Sequence, residues 1–136
     1  MSHSIDILFR TDRFNLSDEK PHFINPCCFG EDMLEWLRNR MIERGATVGE
    51  PIQEDWGWCE EVFLGGISYL LGVGGNSDEE AGQPNLGEWR LMVTRQRSVT
   101  DKLFGRNKEA GPLPDVLLEI LRSEPTLRDV QMEEGS

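Results

Sequence analysis

The chain has 136 residues, 38% of them hydrophobic, and a formal net charge of −11. That length fits one domain whose folding buries roughly two-thirds of the unfolded chain's surface, and the apolar fraction argues against wholesale disorder. The acidity argues against nucleic acid as the main partner, since phosphate contacts need a basic face, and no apolar run approaches the ~18 residues of a membrane span.

The first stretch, MSHSIDILFRTDRF, lacks a basic region followed by a long apolar run, so it does not read as a secretory signal and a cytoplasmic location is expected. Within it, Ser4 to Arg10 is a short apolar run suited to a strand. An irregular segment follows, marked by Pro21 and Pro26 and carrying His22. The three cysteines, Cys27, Cys28 and Cys59, are odd in number and form no CxxC, which fits buried thiols in a reducing compartment. With only His3 and His22 besides, no zinc site and no cofactor are expected.

From Gly30 to Arg44 the spacing of Met33, Leu34, Leu37 and Met41 predicts a helix, with Trp36 on its flank. Glu31 and Asp32 suit its positive end, Arg40 and Arg44 its other end, and Gly45 lies just past it.

The stretch EDWGWCEE, residues 54–61, opens a predicted hairpin. Strands over Trp56–Leu64 and Ile67–Val73 are joined by Gly65-Gly66, a pair suited to a I′ or II′ turn. That turn sets the register: Leu64 faces Ile67, Val62 faces Tyr69, Glu60 faces Leu71 and Trp58 faces Val73. The opposite face pairs Phe63 with Ser68, Glu61 with Leu70 and Cys59 with Gly72. The first face is the more apolar and is the expected core side, with Trp56 and Trp58 pointing the same way across Gly57 as core or groove-wall residues.

Gly72 to Gly87 reads as a flexible acidic loop containing Asp78, Glu79 and Glu80. Gly87 to Thr94 alternates through Trp89, Leu91 and Val93, a third meander strand. A basic strip overlaps it: residues 88–108 carry a local +4, and the rest of the chain −15. Arg90 and Arg95 in that strip are candidate anion contacts, with pairing to the chain's own carboxylates as the alternative. Ser98 to Gly105 reads as a short capped helix. A final amphipathic helix over residues 113–123 uses Leu113, Val116, Leu117, Ile120 and Leu121, and residues 125–136 are expected to fray.

The order β-α-β-β-β-α predicts a single α+β domain over residues 1–124. Its four-stranded, largely antiparallel sheet would carry two main helices on one face and leave the other partly open.

No P-loop, GxSxG or HExxH motif is present, and the acidic runs lack EF-hand spacing, so no metal ligands are assigned. Glu60 stands out because the register places it on the more apolar face. A buried carboxylate needs a partner such as Arg38, Arg40, Arg90 or Arg95, an edge position, or a catalytic role. It is the one weak catalytic candidate, and an enzyme is the less favoured reading.

Carboxylates beside aromatics suit capture of a basic protein, because complementary charge speeds encounter and buried rings supply affinity. The expected binding residues are Glu54, Asp55, Trp56, Trp58, Glu60, Asp78, Glu79 and Glu80. In charge and size alone the chain is similar to bacterial immunity proteins that neutralise basic toxins, an analogy of character without matching motifs. The alternative is a small hydrolase or ligand-binding domain with a carboxylate and tryptophan site near the hairpin. An unpaired edge strand would also allow a sheet-to-sheet homodimer.

Overall fold

The structure, a computed structural model, describes residues 4–16, 20–24, 29–77, 86–96 and 111–134. Its elements in chain order are β1 (Ser4–Thr11), α1 (Glu31–Glu43), β2 (Thr47–Val48), β3 (Ile52–Glu54), β4 (Gly57–Leu64), β5 (Ile67–Ser77), β6 (Gly87–Gln96), α2 (Leu113–Arg122) and β7 (Arg128–Glu134). All seven strands belong to one sheet in the order β2-β4-β5-β6-β1-β7, with β3 pairing β4 beside β2. Every pairing is antiparallel.

This corrects the four-stranded α+β expectation: the fold is mostly sheet, with seven strands and two helices among the described residues. The additional strands have weak signatures. β2 and β3 span two and three residues, too few to show a period. β7 lies in the stretch expected to fray, at the free edge, where Val130 and Met132 are its only large apolar residues. It is held through its backbone to β1, with an irregularity between Leu8 and Arg10 and a positive φ at Asp129, the pattern of a bulge that bends an edge.

The Gly72–Gly87 loop is also corrected in part. β5 continues to Ser77, pairing Gly74 with Arg90, Gly75 with Trp89 and Asn76 with Glu88. The glycine that looks like a loop signal makes room for a ring: a Cβ on Gly75 would lie 2.7 Å from the Trp89 indole. Asp78, Glu79, Glu80 and the helix expected at Ser98–Gly105 lie outside the described residues.

The β4–β5 hairpin has the register that Gly65-Gly66 implies, from Leu64 opposite Ile67 to Trp58 opposite Val73. Both turn glycines have positive φ, 61° and 78°, which a I′ turn requires. One face of the sheet therefore carries Ile5, Ile7, Phe9, Trp58, Val62, Leu64, Tyr69, Leu71, Val73, Trp89, Leu91 and Val93, all buried. Met33, Leu34, Leu37 and Met41 of α1 and Leu113, Leu117, Ile120 and Leu121 of α2 complete the same core. Removing most of one such buried side chain costs about 2–5 kcal/mol.

Helix α1 ends where Gly45 adopts φ 93°. The Gly45 N–H donates to the Ile42 carbonyl and the Ala46 N–H to the Met41 carbonyl, the paired bonds of a Schellman cap. Helix α2 is tied to the sheet at its start, where the Leu113 N–H donates to the Tyr69 hydroxyl at 3.4 Å. With both helices on one face, the other face of the sheet holds the candidate site.

Candidate functional site

The EDWGWCEE stretch is a hairpin of its own. Glu54 ends β3, Gly57 begins β4, and the two face each other, so Asp55 and Trp56 form the turn between them. A turn residue is exempt from strand alternation. The two tryptophans therefore do not point the same way as expected. Trp58 is buried in the core, whereas Trp56 is 48% exposed and folds over the opposite face against Gly72. A Cβ on Gly72 would lie 2.7 Å from Trp56 Cη2, so the glycine provides the floor on which the indole rests.

Around that ring the open face is both apolar and acidic. Ile52, Cys59, Gly72 and Met92 align in one row across β3, β4, β5 and β6. Phe63 sits further along β4, between Thr47 and Ser68. Ile52 and Phe63 are 59% and 49% exposed, high for large apolar side chains on a sheet face. Glu54, Asp55 and Glu61 are exposed among them. The Cys59 thiol donates to Glu54 at 3.8 Å, and burial, then the Glu54 charge, pushes its pKa up, so it is no nucleophile at neutral pH.

The far half of this face is ionic and self-satisfied. Arg90 pairs with Asp6 and lies 3.8 Å from Glu133, while Arg10 bonds Glu88 at 3.1 Å. Arg90 is thus paired with the chain's own carboxylates. Arg95 is buried on the helix-covered face, opposite Tyr69. The two proposed anion contacts occupy opposite faces and form no common site.

Glu60 lies on the helix side, 2% exposed, opposite Leu71. Neither carboxyl oxygen has a hydrogen-bond partner among the described residues, so the expected arginine pairing is not made. Burial raises its pKa to about 8; the Arg38 charge opposes the rise and Glu50 adds to it. The side chain is separated from the Trp56 patch by the sheet itself.

A second feature escaped the sequence. A cavity of about 410 Å³ at the start of α1 is lined by residues that include His22, Phe23, Glu31, Asp32 and Glu35. His22 Nε2 lies 2.5 Å from Glu31, with its ring edge-on to Trp58. Burial raises the Asp32 pKa, against the lowering effect of the Asn15 and Met33 N–H groups that donate to it. The acids of this first turn read in the sequence only as a response to the helix dipole. Glu60 lines neither this cavity nor the two smaller-scale clefts along β1.

Among the described residues, no group of three or more His, Cys, Asp or Glu side chains could hold a metal ion, and no helix is long and apolar enough to cross a membrane. No protein-family model, curated protein or solved structure matches the chain.

Proposed function

We propose that this protein is a small acidic binding module that captures a basic protein partner on the open face of its sheet. The observation that carries the reading is that Ile52, Trp56 and Phe63, three exposed apolar side chains, share one face of the β3–β4–β5 sheet with the exposed acids Glu54 and Glu61, Asp55 lying in the turn beside Trp56. Apolar anchors rimmed by charge of one sign suit a partner whose own contact surface is aromatic or aliphatic and rimmed by Lys or Arg. The net charge of −11 adds long-range attraction to such a partner.

The wider binding set contracts accordingly. Glu54, Asp55 and Trp56 remain in it, Ile52, Phe63 and Glu61 join it, Trp58 and Glu60 leave it because they are buried on the core face, and Asp78, Glu79 and Glu80 lie outside the described residues. The hydrolase alternative joins Glu60 and the tryptophans in one site, whereas Glu60 is buried on the helix side and Trp56 lies over the opposite face. A cytoplasmic setting goes with the reading, since Cys59 is a free, buried thiol. Isothermal titration of a captured partner against Trp56→Ala and Glu61→Lys variants tests the assignment. Both substitutions weaken binding if this face is the contact, and unchanged binding by both moves the contact elsewhere.

A further inference from the structure

The edge of the sheet beside β4 is interrupted, and Glu60 sits at the interruption. β2 covers Val62 and Phe63, and β3 covers Gly57 to Cys59. Between them the chain leaves the ladder through residues 49–51, so Glu60 has no register partner on that side. Two hydrogen bonds hold this connection down. The Gly49 N–H donates to the Glu61 carbonyl at 2.8 Å, and Arg38 Nη1 of α1 donates to the Gly49 carbonyl at 2.8 Å. Both backbone groups of Gly49 are thereby satisfied, one by the neighbouring strand and one by a long, charged side chain from the helix.

Glu60 is the other claim on that side chain. Its carboxyl group is buried beneath the helix layer, and neither oxygen has a hydrogen-bond partner among the described residues. Among the described residues, Arg38 of α1 and Glu50 of the connection are the charged groups that act on it. β5 presents uncharged Leu71 directly opposite, and Trp58 and Val62 flank it on β4. Tyr69, two register positions away on β5, also titrates on that face; burial raises its pKa, and the Leu113 N–H and then Arg95 of β6 oppose the rise. A protonated carboxyl tolerates this apolar setting far better than a carboxylate, which would draw the nearest guanidinium.

We propose that Arg38 and Glu60 form a proton-operated latch on the sheet edge. With Glu60 protonated, Arg38 holds the Gly49 carbonyl and the connection between β2 and β3 stays docked. When Glu60 ionises, Arg38 turns to the carboxylate and the connection is released. The released segment leads directly into β3, so the latch sets the mobility of Ile52 and Glu54. The device is local and holds whether or not the open face binds a partner. A pKa of about 8 places the change at mildly alkaline pH.

The test is a pH titration of the wild-type protein followed by NMR, reading the Glu60 side-chain carboxyl carbon, the Gly49 carbonyl carbon and the Arg38 guanidinium together. The latch requires all three to move with one midpoint well above the ordinary carboxylate range. It also requires the Gly49 amide to lose roughly tenfold protection relative to Leu71 across that midpoint, after correction for intrinsic exchange. Glu60→Gln, which keeps the size and cannot ionise, abolishes the Gly49 transition. A Glu60 midpoint in the ordinary carboxylate range overturns the proposal, as does a Glu60 transition that leaves Gly49 and Arg38 unmoved. Should Glu60→Gln fail to fold, the three wild-type signals decide alone.

Discussion

The Trp56 indole occupies the space that a side chain at Gly72 would take, 2.7 Å from where the Cβ would lie. The hairpin turn at Asp55–Trp56 supplies the ring, β5 supplies the gap, and together they fix an aromatic anchor on the open face. Gly72→Ala therefore lifts the ring. Because the obstructing atoms belong to an exposed, movable side chain, the stability change stays within about 1 kcal/mol. Tryptophan emission, compared with Trp56→Phe carrying the same substitution, shifts to the red and becomes more accessible to a quencher. Unchanged emission would mean that Gly72 does not seat the ring.

For the proposed binding face, the anchors and the rim are predicted to act on different rate constants. Trp56→Ala and Phe63→Ala raise the dissociation rate of a bound basic partner, with Trp56→Ala costing about 2 kcal/mol as the larger, better-seated ring. Glu54→Lys and Glu61→Lys chiefly lower the association rate and flatten its dependence on ionic strength. Stopped-flow binding at two salt concentrations separates the two effects.

Glu60 makes stability fall as pH rises. Its pKa is raised in the folded protein, from an ordinary value of 4.5 to about 8, so the folded state holds a proton that the unfolded state releases. The associated stability is fully present below pH 4.5 and is lost progressively up to about pH 8. At roughly 1.4 kcal/mol per unit the loss is on the order of 3–5 kcal/mol. Glu60→Leu removes this slope and two unsatisfied buried oxygens, and so stabilises the protein by about 1–3 kcal/mol near neutral pH. Urea unfolding of both proteins across this range checks the sign.

Arg90 resolves a like-charge conflict. Asp6 and Glu133 are directly opposite on β1 and β7, and Arg90 of β6 reaches both. Arg90→Gln leaves the two carboxylates facing each other and destabilises by about 1 kcal/mol, since the group is partly solvated. Molar salt shrinks that loss, and hydrogen exchange places it at the β1–β7 edge.

What the sequence disclosed follows from how local each determinant is. Gly65-Gly66 is a two-residue code for a turn, and it carried the whole β4–β5 register, including the odd placement of Glu60. The 3.6-residue spacing of Met33, Leu34, Leu37 and Met41 likewise marked α1 within a residue or two. The turn at Asp55–Trp56 was illegible because its first strand is three residues long and Trp is no turn signal. That one miss put Trp56 on the wrong face. β7 was illegible because an edge strand that is half solvated needs few apolar residues. Glu60 could be recognised as an acid out of place, but its lack of a hydrogen-bond partner among the described residues depends on where α1 and the 49–51 connection lie. Sequence spacing does not encode that distance.

Capture of a basic protein on the open face around Trp56 is the proposal on which the other binding predictions rest. Its most direct measurement compares capture by the wild-type chain with capture by the Trp56→Ala/Glu61→Lys double variant, at low and high salt. Captured proteins are identified and then bound again in purified form. The expected result is a basic protein retained by the wild type at low salt, released at high salt, and lost with the double variant. No salt-sensitive capture, or capture that the double variant retains in full, would contradict it.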